Sequence, residues 1–172
     1  MESEIKYFNV PIQMLKGVLT GEKNSETIFL QEIVYYSLYE FALRLPYSDT
    51  DEFDNKMTTQ IQAAANFLNV DMDIDTTIRE GERLYQMYGK HGAFCNINTS
   101  ILWDYHDNPK TGHQRALFCA FCATKSILGK GRYKRTNKGL ILARMFGYNN
   151  YTEFETDASI ISIEAMAKRN KY

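Results

Sequence analysis

The residues best suited to chemistry are cations that cluster in the last third of the chain, in the stretch GKGRYKRTNKG from Gly129 to Gly139. Lysine and arginine bind the phosphates of nucleic acids, and these contacts give affinity and position without reading the base sequence. Tyr133 is interleaved with the cations. The predicted phosphate-binding residues are this cluster and three further cations near the end of the sequence: Lys130, Arg132, Lys134, Arg135, Lys138, Lys168, Arg169 and Lys171.

The same cluster has a plain structural interpretation, because groups of Lys and Arg are common on protein surfaces. Its glycines do not form a phosphate-binding P-loop, since the pattern is not GxxxxGK[ST] and no strand is predicted before it. Gly129 is instead predicted to end a helix.

Charge is unevenly distributed along the chain, although the formal net charge is only −1. Nine Lys and Arg and no Asp or Glu lie between Pro109 and Thr152, whereas the rest of the chain has 11 Lys and Arg against 21 Asp and Glu. Clustered cations raise the local potential even in a near-neutral protein, which favours an anionic partner. The alternative, that the acidic part only neutralises the basic part, stays open.

The types of the cysteine and histidine side chains would allow a zinc site. Its ligands would be Cys95, Cys119 and Cys122 with His91 or His113. However, Cys119 and Cys122 fall within a strongly apolar predicted helix, where cysteine is an ordinary small core residue. We therefore predict neither a metal site nor a cofactor.

The stretch WDYHDN contains His106 and Asp107, the pair used by helical phosphohydrolases of the HD type to hold a divalent metal that activates water. His91 and Asp157 would have to complete the ligand set. The residues HDNP are explained equally well as the end of a helix followed by a turn. We expect that the chain is not an enzyme and keep a metal-dependent phosphohydrolase as a third alternative.

Composition indicates one folded unit of ordinary globular type, with 172 residues, 44% of them hydrophobic and 24% charged. No apolar run approaches the ~20 residues of a membrane span, and the acidic start MESEIKYFNV lacks the pattern of a secretion signal. Three cysteines are too few for a disulfide scaffold. We expect a cytoplasmic protein without membrane contact.

Hydrophobic periodicity predicts a mostly α-helical protein with few short strands. IKYFNVP and AFCNI are predicted to be extended. The first helix should begin near Asn24 or Ser25 and end at Pro46, and the second should end at Asn69. The third should begin with a capping box of Thr77 and Glu80 and end at Gly89, before a short helix in NTSILWDYHDN. The second helix has an apolar stripe formed by Met57, Ile61, Ala64, Ala65 and Leu68.

Three further predicted helices follow in the order of a helix-turn-helix unit. They are a supporting helix, Gln114–Leu128, a helix to Phe146 capped by Thr136 or Asn137, and a last helix, Ser159–Tyr172, that would approach a groove. Apolar residues surround the middle helix almost completely, which predicts its burial. The supporting helix has a predicted core stripe of Leu117, Phe118, Phe121, Cys122 and Leu128. We divide the chain into an acidic helical lobe, 1–108, and a basic helix-turn-helix-like lobe, 109–172, packed as one compact unit.

The segments YFNVPIQMLKGVL, AAANFLNV, REGERLY and ATKSILGKGRYKRTNKGLILARMFGY resemble a group of uncharacterised proteins of Bacteroides-type bacteria and their phages or mobile elements. The resemblance covers most of the chain and implies a winged-helix-like C-terminal part. It implies no specific activity. The aromatic strand pair of the wing would follow the last helix, and the sequence stops at Tyr172 before such a pair, so we expect the wing contacts to be missing.

These patterns lead to a first hypothesis, a DNA-binding protein of a phage or mobile element that acts in replication or transcription. Its basic loop and C-terminal helix would contact phosphates. The alternative is a helical adaptor or inhibitor that binds another protein through its acidic lobe or through Tyr35, Tyr36 and Tyr39, since tyrosine is enriched at interfaces. Such tyrosines are also common in cores, with their hydroxyls reaching the surface. The oligomeric state is left open.

Overall fold

A long helix, α1 (Glu26–Arg44), lies at the centre of the fold, and three other helices and the first strand contact it. The structure is a computed structural model that describes residues 6–21, 26–45, 50–89, 92–107 and 111–157. The helix supplies a nearly continuous buried surface because its apolar residues recur at helical spacing. Its fully buried side chains include Phe29, Leu30, Ile33, Val34 and Leu38.

The other elements of the described residues follow in a simple order. They are β1 (Tyr7–Pro11), a 3-10 helix (Ile12–Leu15), α1, α2 (Thr50–Leu68), α3 (Ile74–Tyr88), β2 (Phe94–Asn98), α4 (Thr99–Asp107), α5 (Gly112–Leu128), α6 (Lys138–Met145) and α7 (Tyr151–Asp157). The prediction of a mostly helical protein with few short strands is confirmed.

The two predicted extended segments pair with each other as an antiparallel sheet of two strands. Phe8 lies opposite Ile97, and Val10 lies opposite Cys95. These four side chains are buried and alternate with exposed or half-buried positions, as expected for a sheet with one face on a core.

Helices α1 and α3 pack closely because α3 has a glycine at their contact. A Cβ atom at Gly81 would lie 2.5 Å from both the Tyr35 carbonyl oxygen and the Tyr39 Cβ. No side chain fits in that space, which explains a glycine in the middle of a helix where it lowers helix propensity.

The predicted capping box at the start of α3 is wrong. The N-cap is Asp73, whose carboxylate accepts a hydrogen bond from the Thr76 N–H at 2.8 Å. Thr77 is instead buried inside the first turn, and its hydroxyl donates to the Asp73 carbonyl. The helix begins one turn earlier than the sequence pattern indicated. Its predicted end at Gly89 is confirmed.

The predicted stripe on α5 is wrong in part. Phe118 and Cys122 are buried as expected, but Leu117 and Phe121 are 52% and 40% exposed. The buried face is completed by Cys119, Ala123 and Ile127. The helix is thus rotated relative to the predicted stripe, so that Cys119 and Ala123 face the core and Leu117 and Phe121 lie at the surface.

The predicted burial of the middle helix is also wrong. In α6 only Ala143 is fully buried, and Leu142 is 42% exposed. Instead of a long connection, a turn at 146–150 leads into α7, in which Phe154 is buried. The predicted last helix, Ser159–Tyr172, lies outside the described residues. The described part contains no strand after β2, so the winged-helix character of this region stays a prediction.

The basic C-terminal part and the acidic N-terminal part share one core, which joins Phe118, Cys119 and Cys122 to the sheet and to α1. Two contacts of the turn at 146–150 strengthen this connection. The Asn149 side chain accepts a hydrogen bond from the Ala93 N–H at 2.9 Å, and Gly147 lies directly on the backbone of Lys16. Among the described helices, none is both long and apolar enough to cross a membrane.

Candidate nucleic-acid interface

The predicted cations between α5 and the start of α6 lie together in residues 129–138, which we call the basic loop; its last residue, Lys138, is the first residue of α6. All ten of its residues are exposed. Five of them are cationic: Lys130, Arg132, Lys134, Arg135 and Lys138. Half of the residues in this short surface segment therefore bear a positive charge, which concentrates the field over a small area.

Hydrogen bonds fix both ends of the basic loop. Gly129 ends α5 with a positive φ of 59°, and its N–H donates to the Lys125 carbonyl at 2.9 Å. At the other end Asn137 caps α6, because its side-chain oxygen accepts from the Leu140 N–H at 2.8 Å. The loop thus leaves and re-enters the helical body at two defined points.

The middle of the basic loop also lies against the protein. Lys134 and Thr136 line a small depression of about 50 Å³, whose apolar wall comes from Ile127, Leu128 and Ile141. A lysine can cover apolar surface with its methylene groups while its ammonium stays in water. The middle of the loop therefore borders a depression on the α5–α6 pair.

The carboxylates of the described residues do not pair with the basic loop. Within the described part of the chain, none of its five cations forms an ion pair, whereas cations of the acidic lobe do. In that lobe Lys56 lies 2.8 Å from Glu52, and Arg83 lies 3.0 Å from Glu80. The charge of the loop is thus available to an external anion.

Arg144 belongs to the same basic stretch of sequence but has a different environment. Its guanidinium is half-buried and donates to the Ser126 hydroxyl at 2.9 Å and to the Asn149 carbonyl at 3.0 Å. Burial lowers the pKa of Arg144 from its usual value. This cation connects α5, α6 and the following turn and, unlike the loop cations, is only partly exposed.

Three of the predicted phosphate-binding residues, Lys168, Arg169 and Lys171, lie outside the described residues. Their convergence with the basic loop stays a prediction.

The tyrosines predicted as a partner surface do not form one. Tyr35 and Tyr36 are buried between α1 and α3, and the Tyr36 ring packs on Tyr85 at a centroid distance of 5.9 Å. Burial raises the pKa of both hydroxyls above the ordinary value. Of the three, only Tyr39 reaches the surface, because its side chain is not fully buried. The other two are buried because α1 is surrounded by other elements on most sides.

Tyr39 borders an open surface depression between α1, α2 and α3 that the sequence analysis missed. We call it the acidic trough. Its volume is about 580 Å³. Its apolar floor comes from Ala42, Leu43, Phe53, Ile74 and Ile78, and its charged rim from Asp54, Asp75, Arg79 and Glu82. The sequence pattern of each single helix could not predict the trough, because its floor forms only where three helices meet.

The three cysteines lie in the core, as their apolar surroundings predicted. Cys95, Cys119 and Cys122 are buried and have free thiols. A hydrogen bond to Cys95 together with burial raises the pKa of Cys122 well above its usual range, so that thiol stays protonated and unreactive.

The phosphohydrolase alternative gains no support from the described residues. His106 Nδ1 lies 3.1 Å from Asp107 Oδ1 at the exposed end of α4, which is a contact between sequence neighbours. His91 is outside the described residues, and His113 is exposed at the start of α5. No group of three or more potential metal ligands occurs among the described side chains.

Comparisons of the chain with known protein families, with curated proteins and with solved structures found no match. The resemblance to proteins of Bacteroides-type bacteria and their phages or mobile elements therefore stays a prediction.

Proposed function

We propose that the protein binds DNA through contacts between the basic loop and backbone phosphates. The observation that supports this proposal is the exposure of the five loop cations and their lack of ion pairs among the described residues. They are exposed, they form no ion pair within the described chain, and they lie on one loop seated between two capped helices.

The physical argument rests on counterion release. A cation that already pairs with a carboxylate gains little by meeting a phosphate, whereas a hydrated, unpaired cation can displace a condensed counterion and release it into solution. With respect to the described residues the loop cations meet this condition, and the paired cations of the acidic lobe, such as Lys56 and Arg83, do not.

The shape of the site favours backbone contacts over base reading. Arg132, Lys134 and Arg135 lie on a connection without regular secondary structure, not on a helix that could enter a major groove. Base reading by a last helix, Ser159–Tyr172, is a further part of the initial hypothesis that lies outside the described residues. We therefore expect binding with little sequence preference from the loop itself.

The test compares two triple variants that remove the same charge from different places. The loop variant changes Arg132, Lys134 and Arg135 to Ala. The matched control changes Arg44, Arg79 and Arg83 to Ala, three exposed or half-exposed cations of the acidic lobe. Binding to a fluorescent 20-base-pair duplex is measured by anisotropy at roughly 50 mM salt. The loop variant is expected to lose at least about tenfold in affinity, and the control to stay within about twofold.

Equal losses in both variants would show that only total charge matters, and unchanged affinity of the loop variant would refute the proposal. Melting temperatures check that both variants fold. The loop variant is expected to melt close to the wild type, because exposed surface side chains contribute little to stability.

The acidic trough favours a second candidate function, binding of another protein. The partner that fits it is a basic amphipathic helix, since an apolar stripe would cover Leu43 and Phe53 while Lys or Arg side chains met Asp54, Asp75 and Glu82. Leu43 is 46% exposed and available for such a contact.

Titration calorimetry with a designed helix carrying Leu and Lys on opposite faces tests this candidate. Binding should weaken strongly in Leu43→Glu and should not weaken in Leu117→Glu, an equally exposed leucine on α5. If both variants bind the peptide like the wild type, the trough is not a docking site.

A further inference from the structure

Tyr133 is the most exposed of the large hydrophobic side chains described, at 89%. Within the described residues, its ring packs on no other aromatic ring and its hydroxyl has no hydrogen-bond partner. Arg132 and Lys134 flank it in the sequence. The ring therefore contributes almost nothing to the stability of the fold, since it removes little apolar surface from water.

The neighbours of Tyr133 show why this position is unusual. Lys134 borders the depression that Ile127 and Ile141 also line, although its own side chain is exposed. An aromatic ring would gain more than a lysine does from covering such apolar residues. Here Lys134 borders the depression and Tyr133 faces solvent.

A cationic track with a free aromatic ring is the arrangement that binds single-stranded nucleic acid. The cations hold the backbone, and unpaired bases stack on the ring, with little dependence on the base because every base has a flat face. In an intact duplex the bases are already stacked on one another, so they offer the ring no face without local unstacking.

We infer that Tyr133 stacks on an unpaired base and that the basic loop therefore prefers single-stranded DNA to duplex DNA. This inference rests on the proposed DNA-binding function, because the cations of the loop must bring the strand to the ring.

The test measures the affinity of wild type, Tyr133→Ala, Tyr133→Phe and a control, Tyr7→Ala, for a 20-nucleotide oligothymidine and for a 20-base-pair duplex. Tyr7 is an exposed tyrosine on β1, at 55%. Tyr133→Ala is expected to lose about 5- to 150-fold in affinity for the single strand, the range for loss of one stacked base. Its affinity for the duplex should stay within about twofold, and Tyr133→Phe and Tyr7→Ala should bind both probes like the wild type.

The outcomes separate this inference from the function on which it rests. If the wild type binds both probes and Tyr133→Ala binds the single strand equally well, stacking is refuted and phosphate binding stands. An equal loss on both probes, or a wild-type preference for the duplex, also overturns the inference. If the wild type binds neither probe at low salt, the proposed DNA-binding function itself is refuted.

Discussion

The Arg144 guanidinium donates a hydrogen bond to the Ser126 hydroxyl, 2.9 Å away, and this contact separates two uses of positive charge in one basic stretch. Ser126 in turn donates to the Ala123 carbonyl on α5. Arg144 therefore belongs to the interior that positions the loop, while Lys138, six residues earlier, is exposed.

Replacing Arg144 and Lys138 separately by Met should give opposite phenotypes. Arg144→Met should lower the free energy of unfolding by about 1–3 kcal/mol, because its bonds to Ser126 and Asn149 are charge-assisted and half-buried. Lys138→Met should change it by less than about 0.5 kcal/mol and should weaken DNA binding. Urea unfolding and anisotropy measure the two effects. A stable Arg144→Met protein with impaired binding would place Arg144 on the interface and contradict this assignment.

Gly147→Ala is expected to destabilise the protein more than Gly21→Ala. Both glycines have a positive φ, 88° and 73°, so both substitutions carry the strain of the left-handed region, about 1 kcal/mol. Only at Gly147 would the new Cβ lie 2.5 Å from the Lys16 backbone nitrogen, whereas at Gly21 it meets nothing within 4 Å. The difference in urea midpoint between the variants reports the close approach, and equal midpoints would argue against it.

Gly81→Ala should destabilise the protein even though alanine favours helix by about 1 kcal/mol. Its Cβ would lie 2.5 Å from the Tyr35 carbonyl oxygen, which belongs to the backbone of a packed helix and cannot rotate away. Gly139→Ala in α6 is the control, because its Cβ would meet the Tyr151 ring at 3.1 Å, a side chain that can shift. Thermal melting should rank Gly81→Ala below the wild type and Gly139→Ala close to it. The reverse ranking would refute the α1–α3 contact.

Sequence patterns predicted α1 to α6 and both strands, mostly because each of these elements buries one face, but they did not predict α7. Pairing of the two strands brings Phe8 against Ile97, and no local pattern specifies that partner. The errors occurred where tertiary packing overrides a local pattern. Thr77 matched a capping box but is buried, and Leu142 looked like core but is exposed, because no described element covers that side of α6.

The candidate site could also be predicted in part from the sequence. The clustering of charge in the sequence identified the basic loop, because ten consecutive residues are necessarily also close in space. The sequence could not predict that Tyr133 is exposed or that Arg144 forms hydrogen bonds within the fold. Both depend on which side chains the rest of the protein covers, and this is known only from the folded structure. The sequence analysis did not predict α7, although the sequence contains a capping pattern for it. Asn150 and Glu153 are three residues apart, as the N-cap and the third residue of a helix are, and the Asn150 side chain accepts a hydrogen bond from the Glu153 N–H at 2.8 Å.

Glu40→Gln should stabilise the protein at neutral pH. Burial raises the pKa of Glu40 above its usual value, although a hydrogen bond from Asn9 and the nearby Arg44 oppose the shift. Because the pKa is higher in the folded than in the unfolded state, the ionised carboxylate costs stability above the folded pKa, and the cost vanishes as the pH falls below the unfolded value near ~4.3. Glutamine keeps an acceptor for Asn9. The gain measured by urea unfolding should therefore shrink between neutral pH and about pH 4.

Glu80→Gln provides the control with the opposite sign. A hydrogen bond from Arg83 lowers the pKa of Glu80, so its stabilisation is present above the unfolded pKa and is lost as the pH falls through the folded pKa. This variant should lose stability at pH 7 and match the wild type in acid. If both variants showed the same sign at pH 7, the assigned environments of the two carboxylates would be wrong.

The salt dependence of DNA binding tests the central claim most directly, because its slope counts the cations that displace counterions. If all five loop cations contact phosphates, wild-type affinity should fall roughly 500-fold between about 50 and 200 mM salt, a slope near −4.5. Without Arg132, Lys134 and Arg135 the fall should be only about tenfold. Identical slopes for the wild type and this variant would show that the basic loop does not hold the phosphates.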